Sequence, residues 1–239
     1  MSLGGVDGLG PGKGLRQGNT LSNSHLLWYN IRMIITYLGG EFFKVQFGDT
    51  TLAFNPISKD SKLKSARFGA DVSLITTNHP DFNGIDQVTH GEKAPFAISG
   101  PGEYETKGVF IKGFLSKSKY GGEHHINTIY MVALEGMNLC FLGALSSTDV
   151  SNETKEALGD IDILFTPIGG GEVLSAADAY KFAVSLEPKL IIPMHYDDAA
   201  LKAFIKEGGE KVDPLDKLTL KKKDLAGNEG DIVVLQANQ

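Results

Sequence analysis

Residues 75–84, which read ITTNHPDFNG, determine how the rest of the chain is interpreted. They continue the run DVSLITT at 71–77, whose apolar and β-branched side chains are typical of a strand. His79 and Asp81 then follow two residues apart, with Asn78 and Asn83 beside them. Imidazole and carboxylate groups bind divalent metals, so this loop is a candidate metal site.

The composition is that of a globular protein. The chain has 239 residues, 41% of them hydrophobic and 22% charged, and a net charge of -6, which argues against nucleic-acid binding. It has no run near the roughly 20 apolar residues of a membrane helix and no secretory signal pattern, so we expect a cytoplasmic protein without membrane association. The single cysteine, Cys140, lies in the apolar run NLCFLGAL and is predicted to be a core residue.

The start of the chain differs from the rest. Seven glycines fall within the first twenty positions, and no apolar periodicity appears before HLLWYNIR. We therefore predict that residues 1–32 are a flexible leader or an addition to the native chain, which would begin at Met33. Residues 33–239 are predicted to form a single domain.

Strand patterns come first and helical patterns later. The short runs MIITYL, FFKVQF and TLAFN, separated by glycine-containing turns, predict an antiparallel meander. STDVSNETKEAL, SAADAYKFAVSL and DDAALKAFIKEG have helical spacing, and Ser175 followed by Asp178 is typical of a helix start. Between them, DILFTPI and KLIIPMHY have the apolar character of strands covered on both faces. The sequence therefore predicts an α/β (α+β) fold with two sheets face to face and helices outside.

Five motifs in this order resemble the metallo-β-lactamase superfamily, and in particular its branch of small bacterial proteins similar to the ascorbate-phosphate lactonases. They are GPGEYE at 100–105, NTIY at 127–130, FLGAL at 141–145, DILFTPIGGG at 162–171 and EPKLIIPMHY at 187–196. The resemblance covers residues 33–196. It implies a four-layer αββα sandwich with a site for two metals, typically zinc, at one edge of the sheets, where metal-bound water would be activated for hydrolysis.

The resemblance also implies which residues would bind metal in the loop at 77–82. The superfamily motif places histidine, histidine, aspartate and histidine at the positions of Thr77, His79, Asp81 and Phe82. Only His79 and Asp81 match. Two of the four ligands are therefore absent from this loop.

Other expected ligands are missing as well. The metal-bridging aspartate of the family's LGD pattern is Ala144, and the segment 114–127 has no clear counterpart of the expected histidine. Gly40 and Asn55 stand where relatives often have histidine and aspartate. His195, in PMHY, matches the pattern.

Two interpretations of the remaining ligands stay open. His79 would serve the first metal, and Asp81 and His195 the second, so neither keeps three protein ligands and an intact dinuclear zinc centre is not expected. The same three residues would suit a mononuclear zinc, manganese or iron site, with Asp81 as a catalytic candidate. Without metal, Asp81 would cap a turn or pair with a histidine, and His195 would bond to a backbone carbonyl or to Asp81.

Five other residues are candidates for the cleft: Asn78, Asn83, Glu103, Glu105 and Tyr196. Glu103 and Glu105 would point to one face of an extended strand, either as acid and base or as solvated carboxylates. Tyr196 follows His195 directly and would otherwise pack on the core.

Two functional hypotheses follow. The first is a hydrolase-like protein that has lost its two-zinc centre and binds a small molecule or protein in the former cleft. The second is a divergent metal-dependent hydrolase of phosphate-bearing or lactone-like small molecules. Substrate and oligomeric state are left open.

Overall fold

The structure is a computed structural model that describes residues 1, 32–122, 125–209 and 212–238. Arg32–Gln239 form one compact unit. Nearly all of the predicted leader at 1–32 lies outside the described residues, so the division at Met33 stays a prediction. Within the described part, no helix is long and apolar enough to cross a membrane.

The first sheet has six strands in the order β12-β1-β2-β3-β4-β5. These are β1 (Met33–Tyr37), β2 (Phe43–Phe47), β3 (Thr50–Phe54), β4 (Val72–Leu74), β5 (Phe96–Ile98) and β12 (Leu218–Leu220). β1, β2 and β3 are antiparallel neighbours, which confirms the predicted meander. β3, β4 and β5 are parallel to one another.

The second sheet has seven strands in the order β13-β11-β10-β9-β8-β7-β6. These are β6 (Gly102–Thr106), β7 (Val109–Ser118), β8 (His125–Leu134), β9 (Met137–Phe141), β10 (Ile163–Pro167), β11 (Leu190–Met194) and β13 (Asp231–Ile232). β6 to β9 are antiparallel, and β9, β10, β11 and β13 are parallel. Every residue of β10 and β11 is buried, as expected for strands covered on both faces.

Three α-helices in the described part of the chain follow the predicted helical patterns. They are α1 (Asn152–Leu158), α2 (Ala176–Ser185) and α3 (Asp198–Gly208), and two 3-10 helices span Ile85–Gln87 and Lys222–Leu225. The predicted start at Ser175 is confirmed, because its hydroxyl accepts a hydrogen bond from the Asp178 N–H. Ser151 and Asp197 cap α1 and α3 in the same way.

Apolar side chains fill the space between the layers. Phe43, Phe54, Phe141 and Phe165 pack between the sheets, with centroids 4.9 Å apart in the Phe43–Phe165 and Phe54–Phe141 pairs. The helices cover the other face of the second sheet through buried residues such as Phe182 and Phe204. Over the first sheet lies a smaller cluster: Leu38, Phe42, Ala53, Ile57, Ala70 and Val88. The predicted α/β sandwich is confirmed.

Candidate functional site

The candidate residues lie in loops that follow parallel strands. His79 and Asp81 follow β4, Ala144 follows β9, and His195 comes directly after β11. The carboxyl ends of parallel strands are where ligands bind in open α/β sheets. The turn between β7 and β8 adds Tyr120 to the same region, where its ring contacts both imidazoles.

A buried carboxylate holds the ring of His195. Glu41 is fully buried, and its Oε1 lies 2.9 Å from the Nδ1 of His195. The backbone is fixed as well, since the His195 N–H donates to the Gly40 carbonyl at 2.8 Å. His195 has a left-handed φ of 55°, which is uncommon for a residue other than glycine. These contacts engage Nδ1 and leave Nε2 as the nitrogen available to a ligand.

The other oxygen of Glu41 is bound by Asn55. The Asn55 Nδ2 lies 2.8 Å from Glu41 Oε2 and 2.8 Å from Thr76 Oγ1. Its orientation is fixed, because Asn55 Oδ1 accepts a hydrogen bond from the Thr76 N–H at 2.8 Å. A carboxylate at position 55 would have no proton to donate to Glu41. Asn55 is therefore chemically matched to the acid beside it.

Both carboxylate oxygens of Asp81 accept hydrogen bonds from side chains. The Tyr120 hydroxyl donates to Oδ2 at 2.6 Å, and the Ser61 hydroxyl donates to Oδ1. Burial, followed by the hydrogen bond to Asp81, raises the pKa of the Tyr120 phenol above its usual value. Tyr120 is therefore a neutral hydrogen-bond donor at pH 7.

His79 is also enclosed by its surroundings. Its Nδ1 accepts the Asp81 N–H at 3.2 Å, whereas the Asp81 Oδ2 lies 3.6 Å away, beyond hydrogen-bonding distance. We therefore assign the backbone contact as the hydrogen bond of Nδ1. A Cβ on Gly121 would lie 2.7 Å from His79 Cδ2 and 3.0 Å from Nε2, so the backbone there covers this edge of the ring.

Tyr120 packs against both imidazoles. Its ring centroid lies 5.0 Å from that of His79 and 5.0 Å from that of His195, in edge-to-face geometry with both. The Phe82 ring packs against Tyr120 with the centroids 4.8 Å apart and the ring planes tilted by 48°, and Ala144 and Val173 complete a buried apolar cluster. Two residues at expected ligand positions, Phe82 and Ala144, thus contribute apolar surface here.

The predicted pairings of Asp81 and His195 have different outcomes. Asp81 lies beside a histidine, His79, but its close hydrogen bonds are to Tyr120 and Ser61. The expectation that His195 would bond to a backbone carbonyl or to Asp81 is wrong, because its ring bonds to Glu41. The buried carboxylate is the stronger acceptor for the imidazole N–H.

Asn78 and Asn83 form a pair beside His79. The Nδ2 of Asn83 donates to the Asn78 Oδ1 at 2.8 Å, and the contact is exposed.

The remaining candidates are on β6 and directly after His195. Glu103 and Glu105 are exposed on the edge strand β6, where Glu103 pairs with Lys112 at 3.1 Å. Tyr196 packs against Tyr37 with centroids 6.1 Å apart and donates to the Leu235 carbonyl. Burial raises the pKa of its phenol to about 12.

Sequence reasoning missed Glu41, Ser61 and Tyr120. Glu41 directly follows Gly40, and Tyr120 lies in the segment 114–127, where a histidine was sought. Both residues could have been noticed from their positions in the sequence. Glu41 is a charged residue next to Gly40, where relatives often have histidine, and Tyr120 is an aromatic residue in the segment expected to supply a histidine.

The fold and the position of these loops are those of a metallo-β-lactamase-like sandwich. The Beta-lactamase superfamily domain matches residues 34–195, so the chain belongs to that family.

Two relatives are similar over most of their length. A UPF0173 metal-dependent hydrolase of Lysinibacillus sphaericus is 26% identical over 69% of this chain and 86% of its own. A second, from Thermococcus kodakarensis, is 23% identical over 86% of this chain and 97% of its own.

A solved structure supports the same assignment. A Thermotoga maritima protein, described as a Zn-dependent hydrolase of the metallo-β-lactamase superfamily, superposes on this chain with a TM-score of 0.70 and 26% sequence identity. The match covers 85% of this chain and 98% of that one. Metal-dependent relatives imply a divalent metal for the family. Within the part of this chain that the structure describes, no group of three or more His, Cys, Asp or Glu side chains is placed to hold a metal.

Proposed function

We propose that this chain is a hydrolase-like member of its family that has lost the two-metal centre and binds a ligand or partner. The observation that carries the proposal is Tyr120, which packs against both His79 and His195 and donates its hydroxyl to Asp81. One side chain thus contacts all three residues that would otherwise bind metal.

The chemistry of the remaining donors supports this proposal. Catalytic zinc in proteins usually has three protein ligands and an open position for water. Here Asp81 is hydrogen-bonded on both oxygens, and the Gly121 backbone covers the Nε2 edge of His79. Phe82 and Ala144 are buried in apolar contacts. These residues do not fit the family's metal centre.

The second candidate is a mononuclear metal-dependent hydrolase of phosphate-bearing or lactone-like molecules. It is favoured by the names of the relatives and by the proximity of His79 and Asp81, whose Nδ1 and Oδ2 atoms lie 3.6 Å apart. This function requires Tyr120 to leave the imidazoles, so that His195 and Asp81 can turn toward a shared ion.

Metal stoichiometry separates the two functions. The unmodified protein and the His79→Ala/His195→Ala double variant are incubated with zinc, manganese or iron, desalted and measured for metal per chain. We expect no stoichiometric metal that depends on these histidines. One metal per chain that the double variant loses would refute the proposal and support the mononuclear hydrolase.

A gain-of-function variant tests whether the missing ligands are the reason that metal does not bind. This variant contains Tyr120→Ala, which removes the packed ring. It also contains three replacements that restore expected ligands: Thr77→His, Phe82→His and Ala144→Asp. We expect this variant to retain zinc, whereas Tyr120→Ala alone does not, because its remaining donors are too few. Zinc retention by the single variant would show that Tyr120 alone blocks a complete site, contrary to the proposal.

A further inference from the structure

The loop between β3 and β4 concentrates positive charge. Residues 57–68 form this basic loop, read ISKDSKLKSARF and include four basic residues and one acid, although the chain has a net charge of -6. Lys59, Lys62, Lys64 and Arg67 are all exposed. Among the described residues, no Asp or Glu forms an ion pair with any of these four. Their charged groups are therefore available to an anionic partner.

Serine residues hold the basic loop against the body of the protein. The Ser61 hydroxyl donates to Asp81 Oδ1 and accepts the Leu63 N–H at 2.9 Å. The Ser58 N–H donates to the Pro80 carbonyl at 2.8 Å. The cations thus extend from a backbone that is already fixed, which reduces the entropic cost of binding a partner.

The basic loop adjoins the candidate site and exposes one apolar side chain. Ser61 bonds to Asp81, and a Cβ on Gly40 would lie 3.3 Å from Leu63 Cδ1. Leu63 is 42% exposed and lies between Lys62 and Lys64 in the sequence. Cations around an exposed apolar residue complement a partner that has several carboxylates and an apolar side chain.

An acidic peptide fits this surface better than a nucleic acid does. The only aromatic residue of the basic loop is Phe68, and its ring is already engaged by the Phe42 ring and the Lys44 ammonium, with centroid distances of 5.6 Å and 4.9 Å. The loop therefore offers no free ring on which bases could stack. A polynucleotide would also extend beyond the loop over a chain whose net charge is negative. A short acidic segment can stay within the loop.

We propose that the basic loop binds an acidic peptide segment of a partner protein. Carboxylates of the segment pair with Lys59, Lys62, Lys64 and Arg67, and an apolar side chain of the segment contacts Leu63. The inference goes beyond the function proposed above and does not depend on it, because the loop presents these cations whether or not a metal binds beside it.

The test is fluorescence anisotropy with a fluorescein-labelled peptide of the sequence Glu-Glu-Leu-Glu-Glu-Leu. Lys62→Gln/Lys64→Gln should weaken binding about three- to tenfold, because each exposed ion pair contributes little. The matched control is Lys202→Gln/Lys206→Gln, which removes two exposed lysines from α3 and should leave the affinity unchanged. Circular dichroism and urea unfolding verify that each variant is folded.

The apolar contact is tested separately from the charges. Leu63→Ser should weaken binding of the peptide about threefold. Its control is Leu215→Ser, because Leu215 is 44% exposed and lies outside the basic loop. Raising the sodium chloride concentration from about 50 to about 300 mM should weaken binding several-fold, since salt screens exposed charges.

Four results would overturn the proposal. They are no binding of the peptide by the unmodified protein, equal affinity in the two lysine double variants, equal affinity in Leu63→Ser and Leu215→Ser, and affinity that does not change with salt. Tighter binding of a single-stranded oligonucleotide of the same charge would also overturn it, because the partner would then be a nucleic acid.

Discussion

The replacement Asn55→Asp tests the buried polar cluster, because it changes one N–H donor into an acceptor without changing the side chain's shape. Asn55 Nδ2 lies 2.8 Å from Oε2 of the fully buried Glu41. Asn55 cannot present its oxygen and nitrogen the other way round, since its Oδ1 accepts the Thr76 N–H. In the variant, two buried carboxyl groups would face each other and would have to share a proton.

The cost follows from the protonation that this contact requires. Keeping one carboxyl protonated at pH 7, when its reference pKa is about 4, costs about 4 kcal/mol, because each pH unit above the pKa costs about 1.36 kcal/mol. The pKa of the shared carboxyl is raised only in the folded state of the variant. The variant therefore binds the additional proton only when folded, and it regains stability in acid. At pH 5 the cost should fall to about 1.5 kcal/mol.

Urea unfolding monitored by circular dichroism measures the difference at both pH values. Asn228→Asp is the matched control, because Asn228 Nδ2 donates to Asp231 Oδ2 at 2.7 Å in an exposed position. Water screens that contact, so the free energy of unfolding of the control should fall by less than about 1 kcal/mol. A loss in Asn55→Asp no larger than in Asn228→Asp, or one that does not shrink with acid, would refute the assigned network.

Two further predictions concern other carboxylates. Tyr120→Phe removes the hydrogen bond to Asp81 and should lower the free energy of unfolding by about 1.5–3 kcal/mol, measured by urea unfolding; no loss would contradict that bond. Partial burial acts to raise the pKa of Asp71, but hydrogen bonds from Lys107, a backbone N–H and Lys93 lower it from its usual 3.8 to about 2. Asp71 therefore stabilises the fold above its unfolded pKa, and this contribution is lost as pH falls from about 4 to about 2. Asp71→Asn should lack that part of the acid transition in a pH titration of stability.

The sequence was informative about the sheets because local patterns determine them. β10 and β11 are recognisable from continuous apolar runs, and β1 to β3 from short runs broken by glycine turns. These patterns record burial and turn geometry, which neighbouring residues decide. The arrangement in four layers was implied by the family resemblance, and the order of strands across each sheet was not predicted.

The contacts of the candidate site were much less accessible from sequence. The motifs located His79, Asp81 and His195, but the partner of His195 is Glu41, 154 positions away. Tyr120 contacts Asp81 from a position 39 residues later, in a turn without a recognisable motif. Such long-range contacts depend on the way the two sheets pack, which no local pattern records.

The contact between Glu41 and His195 also predicts an order of events in folding. Gly40 and Glu41 lie between β1 and β2 of one sheet, whereas His195 follows β11 of the other. Their hydrogen bond closes a chain segment of 154 residues, whose entropic cost must be offset by the apolar core between the sheets. We therefore expect the cluster to assemble after the sheets dock. During synthesis, Glu41 and Asn55 emerge long before the imidazole that completes their network, so we expect the carboxylate to be solvated until β11 is in place.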